Sequence, residues 1–116
     1  MDEHIRRSVW TTVVRHNLIG RDVLDVIRVG SPDAPPYGTL DPDLLLWTER
    51  GGRILLTEDK STMPGHLADH LVTGHRSPGI LALRRRVYLS DLVDFLCLAT
   101  YASEPSEWED RITYIP

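Results

Sequence analysis

The sequence predicts an α/β domain, a three-layer α/β/α sandwich whose sheet is mostly parallel. Three observations predict it. Segments with helical spacing alternate with short apolar runs along the chain, the pattern of parallel strands joined by helical crossovers. Two of those runs, Arg53-Ile54-Leu55-Leu56-Thr57 and Gly79-Ile80-Leu81-Ala82-Leu83, are short and bounded by turn residues, as strands covered on both faces are. The chain has 116 residues, 41% of them apolar and 26% charged, which fits one domain, 1–116, rather than two.

Ile5, Val9 and Val13 recur at helical spacing before Gly20, so residues 4–18 are expected to be helical. Residues 22–29, DVLDVIRV, are rich in β-branched side chains and read as a strand. The next stretch, GSPDAPPYG, holds three prolines and must be a loop. Asp41 is a candidate cap for a second helix, with Pro42 at its first position, Asp43 in its first turn and Gly51-Gly52 at its end. Residues 53–57 are expected to form a central strand. A helix over 63–73, a strand over 79–83, a helix over 90–102 capped by Ser90, and a last strand over 112–115 complete the order.

The totals exclude several function classes. One cysteine, Cys97, cannot make a disulfide framework or a cysteine-rich zinc site within one chain, and it lies in the apolar run FLCLA. No stretch is long enough to span a bilayer, and MDEHIRRSVW lacks the apolar core of a signal peptide, so a cytoplasmic protein without membrane contact is expected. The net charge of −4 does not announce nucleic-acid binding, although a local basic patch such as Arg84-Arg85-Arg86 could still contact phosphates. There is no phosphate-binding GxxxxGK[ST] loop and no GxSxG nucleophile elbow.

Three acidic groups are candidates for chemistry. Asp2 and Glu3 open the chain, Asp41 and Asp43 open a helix, and Glu58 and Asp59 follow a buried strand. In open parallel sheets ligands bind beyond the carboxyl ends of the strands, which is where Glu58, Asp59 and Lys60 are expected. Gathered carboxylates repel one another, and a hard divalent cation is their natural partner. Such an ion can activate water against a phosphodiester. Each group also has a structural explanation: acids suit the first turn of a helix, Asp59 suits a turn, and chain ends fray. The histidines offer a rival metal site. His66 and His70 are four apart on one helix, near Asp69 and His75, but the HExxH pattern is absent and two surface histidines explain the spacing as well. In the segment SEPSEWEDR, Trp108 is either a contact surface or a core residue.

Four stretches resemble a bacterial PIN-like family of unknown function, related to PIN-domain toxin nucleases. They are DEH at 2–4, LDPDLLLWTERGGRILLTEDK at 40–60, its continuation to Met63, and PGILALR at 78–84. The block over 40–60 is the most specific. The resemblance implies acidic residues that bind Mg²⁺ or Mn²⁺ and direct water at RNA. By position these are Asp2, Asp41 and Asp59, with Glu3 and Glu58 beside them and Lys60 placed for a phosphate. It also implies an RNA substrate and an antitoxin-like protein partner; a homodimer is a further expectation. Two positions depart from the family: Ser61 stands where it has a second aspartate, and Thr62 where it has phenylalanine. The family's first strand precedes its DE pair, whereas only Met1 precedes Asp2, so that strand is expected to be short or truncated. Two functions are therefore expected. One is a metal-dependent endoribonuclease, the toxin of a toxin–antitoxin pair. The other is a catalytically inactive PIN-like domain acting through protein contacts, which Ser61 favours.

Overall fold

A computed structural model of the chain describes residues 3–20, 22, 24–84 and 88–115, with only the backbone at 3–6. Helix α1 spans Glu3–Leu18 and buries Val9 and Val13, one turn apart. Helix α2, Asp41–Gly51, carries Pro42 in its first turn. Its end needs Gly52, whose φ of 64° lets its N–H reach the Glu49 carbonyl while Arg53 N–H reaches Thr48. Helix α3 spans Met63–Val72 and helix α4 spans Leu89–Tyr101, with a short 3₁₀ turn at Pro105–Glu107 after it.

Strands β1 (Leu55–Thr57), β2 (Ile80–Leu83) and β3 (Ile112–Ile115) form one parallel sheet in the order β1-β2-β3. Alternate residues of each strand face opposite sides. Leu56, Leu81, Leu83 and Ile115 pack with Val9 of α1 and Leu92 of α4; Leu55, Ile80 and Ile112 pack with Leu45 of α2 and with Met63 and Leu67 of α3. Helices thus cover both faces of a parallel sheet, as expected of an α/β chain.

Four sequence expectations need correction. Residues 53–57 are not a central strand: β1 is an edge strand, and β2 is central. All four residues of β2 are buried, whereas Ile54 is exposed and Arg53 only half-buried, so the second apolar run is the one enclosed on every side. Residues 24–28, within the expected strand over 22–29, have no regular structure. Their backbone is engaged elsewhere: Asn17 holds both the N–H and the carbonyl of Leu24, and the Asp25 carboxylate pairs with Arg53. Neither Asp41 nor Ser90 caps its helix; both lie inside the first turn, after Leu40 and Tyr88, and neither of those side chains makes a capping hydrogen bond. Of the two expectations for Trp108 the core one holds: it packs edge-on to Phe95 at 5.8 Å and donates its indole N–H to Ser103. The backbone of Trp108 also crosses close over Gly79, where a Cβ would stand 2.6 Å from its carbonyl oxygen.

Candidate functional site

Helices α2 and α3 lie side by side and run in the same direction, because their starts meet through Asp41 and His66 and their ends through Glu49 and His70. Each end of the pair carries a polar cluster, one at the carboxyl ends of the strands and one at the amino ends.

At the carboxyl end, Thr57 finishes β1 and the chain turns through Glu58, Asp59 and Lys60 into α3. Asp59 organises that turn. Its Oδ1 accepts the Ser61 and Thr62 N–H groups, each at 3.0 Å, and its Oδ2 accepts the Thr62 hydroxyl. The Thr57 hydroxyl in turn accepts the Asp59 N–H. The Thr62 hydroxyl, more than any other group, holds the Asp59 carboxyl below its ordinary range, and the His66 charge adds to the effect. His66 Nε2 lies 3.7 Å from Asp41 Oδ2, so this histidine pairs with Asp41 while its charge also acts on Asp59. Glu58 is half-buried next to them, and Lys60 and Ser61 are exposed. Asp2, the Glu3 side chain, Arg85 and Arg86 lie outside the described residues; Arg84 is exposed.

At the amino end, Glu49 from the last turn of α2 meets His70 from the last turn of α3 and His75 from the loop before β2. Glu49 Oε1 is 2.9 Å from His75 Nδ1 and 3.7 Å from His70 Nε2, and the two imidazoles stack with centroids 4.8 Å apart. Glu49 Oε2 accepts the Arg76 N–H at 2.7 Å, the main reason its carboxyl is held below the ordinary range. The Arg76 guanidinium is bound by Asp110, which also accepts the Ser77 N–H and whose own carboxyl is depressed chiefly by Arg76. His70 is buried, with its Nε2 2.9 Å from the Arg76 carbonyl.

Among the described residues, Glu49, His70 and His75 are the one group of three side chains whose metal-ligating atoms come together, all within 4.8 Å. Reading His66 and His70 as one surface pair needs correction, since they serve opposite ends of α3. The signal was present: Met63, Leu67 and His70 are spaced as one helical stripe, and that stripe is the buried one. Nothing local could have indicated Glu49, which reaches His75 across 26 residues.

A groove of about 680 Å³ is lined by residues 24–29, by β1 and by side chains of the elements around it, Val13, Trp47, Leu81 and Leu96 among them. No helix among the described residues is long and apolar enough to cross a membrane. No family model, no curated protein and no solved structure matches the chain.

Proposed function

We propose that this chain is a PIN-like α/β domain that works by binding a protein partner rather than by hydrolysing RNA. One observation carries the reading: Asp59, the acid best placed for a metal at the end of β1, has both carboxylate oxygens committed within its own turn. Three of the four acceptor positions of Asp59 are thus in use, so a Mg²⁺ ion, which demands near-octahedral oxygen ligands, would find only the second lone pair of Oδ2 open. The described acidic residues do not fit such an ion. Asp41 is engaged by His66, Ser61 supplies no second carboxylate, and the one convergent ligand group among the described residues lies at the opposite end of the sheet. The groove along β1 is the place for a partner. An edge strand offers backbone groups to an extended segment, and the groove walls offer the exposed side chains of Val26 and Ile54. An extended segment of an antitoxin-like protein is the occupant that the resemblance suggests.

The ribonuclease reading has one observation in its favour, that His66 pairs with Asp41 and its charge also reaches Asp59. Thermal unfolding of wild type and Asp59→Asn, with and without Mg²⁺, separates the two. A turn acid gives a destabilised variant and the same metal response in both proteins. A metal ligand gives an apo variant at least as stable as wild type, with loss of the Mg²⁺ stabilisation that grows as RT ln(1 + [L]/Kd). RNA cleavage that requires Mn²⁺ and disappears in Asp59→Asn would overturn the binding reading.

A further inference from the structure

We propose that Glu49, His70 and His75 form a binding site for a borderline-soft divalent cation, with zinc the ion that fits best. The proposal stands at the amino ends of the strands and does not depend on what happens at Asp59.

Ligand chemistry comes first. Two imidazoles and a carboxylate suit zinc, with water as a fourth ligand; they do not suit Mg²⁺, which takes oxygen ligands. Distances come second. Tetrahedral zinc with bonds near 2.0–2.1 Å places its ligand atoms roughly 3.3 Å apart. Glu49 Oε1 stands 2.9 Å from His75 Nδ1 and 3.7 Å from His70 Nε2, one slightly inside that spacing and one slightly outside. All three ligand atoms lie within 4.8 Å of one another, and closing on an ion asks the stacked imidazoles to reorient so that the ion lies in the plane of each ring.

Support comes third. Ligating groups are oriented by hydrogen bonds from behind, and Glu49 has such a bond: its Oε2 takes the Arg76 N–H while Oε1 faces the imidazoles. Arg76 is itself clamped by Asp110. His70 is fixed by burial on the α3 stripe, and His75 is the partly open member through which an ion enters, its side chain 44% exposed. Ligation asks two things of the metal-free site. His75 gives up the Nδ1 proton that it shares with Glu49, and His70 exchanges its contact with the Arg76 carbonyl for the ion. Zinc therefore competes with protons for the imidazole nitrogens and binds more weakly as pH falls, as at other imidazole sites.

The test is calorimetric titration of Zn²⁺ into the whole chain at pH 7.5, in two buffers of different ionisation enthalpy, beside His75→Ala, Glu49→Gln and His66→Ala. The expected result is one site per chain. Affinity should fall at least tenfold in His75→Ala and Glu49→Gln and stay unchanged in His66→Ala. Co²⁺ substituted for zinc should give the intense visible bands of a tetrahedral site, lost in His75→Ala. His75 is half-open and its removal spares the core; thermal unfolding without metal checks that both variants fold. Three results would each overturn the proposal: no stoichiometric Zn²⁺ binding by wild type, undiminished binding by folded His75→Ala, or loss of binding in His66→Ala.

Discussion

The two polar clusters held at opposite ends of α2 and α3 use the same residue types and are built differently. At the carboxyl end, the partners of Asp59 are two or three residues away, all inside one turn. At the amino end, the partners of Glu49 and Asp110 are 21 to 34 residues away, so α2, the loop before β2 and the approach to β3 must all be in place. A local cluster satisfies itself and asks nothing of the fold. A long-range cluster exists only when the fold does, and it reports on tertiary structure. The Asp41–His66 contact is a long-range element at the carboxyl end.

The comparison can be tested by substitution. The largest effect is expected where the long-range cluster meets the backbone. Gly79 has a φ of 134°, and a Cβ there would strike the Trp108 carbonyl at 2.6 Å, so Gly79→Ala should cost about 3 kcal/mol. Urea unfolding measures this; a loss below about 1 kcal/mol would mean that the amino end yields more easily than its contacts suggest. Asp110→Ala removes the acceptor of the Ser77 N–H and the partner of Arg76, and should cost about 1.5 kcal/mol in the same assay. Asp59→Asn keeps one carbonyl acceptor for its turn and should cost about 1 kcal/mol, without altering contacts elsewhere. Amide hydrogen exchange separates the two kinds of cluster. Asp59→Asn should raise exchange only around residues 61–66, whereas Asp110→Ala should raise it from the loop before β2 into β2 and β3.

Acid should affect both clusters. Asp59 and Asp110 have folded-state pKa values below the ordinary 3.8. Each therefore contributes stability that is present above that value and is lost as pH falls through the lower folded one. Asn at either position should flatten the decline in stability below about pH 4 and leave the neutral-pH slope unchanged. The smallest effect is expected at Asp25. Its pair with Arg53 spans 28 residues, but the Asp25 side chain is 83% exposed, so Asp25→Asn should change stability by no more than about 0.5 kcal/mol. A larger change would show that separation along the chain, rather than burial, gives the long-range contacts their weight.

What was legible in the sequence follows the same division. The helices over 3–18, 41–51, 63–72 and 89–101, and the strands at 80–83 and 112–115, came from apolar spacing and turn residues, which act over a few positions. The turn role of Asp59 was one of its two sequence readings for the same reason. The strand expected over 22–29 failed because side chains from elsewhere, Asn17 and Arg53, claim that segment. The order of strands was equally hidden, since nothing in RILLT or GILAL says which run has a neighbour on both sides. The amino-end cluster was half visible: His70 and His75 could be noted, but Glu49 reaches them only through the packing of α2 on α3.

The shared direction of α2 and α3 has an electrostatic consequence. Aligned peptide dipoles leave about half a positive charge at the start of each helix and half a negative charge at its end. Both starts lie at the carboxyl end of the sheet, so the field there attracts anions and opposes a bare cation, and Asp41 and Asp43 sit in its favourable part. Both ends converge on Glu49 and His70, where the same field favours positive charge, by about 0.3–1 kcal/mol for each helix. The two helices thus give the domain an anion-attracting pole and a cation-attracting pole on opposite sides of one small sheet.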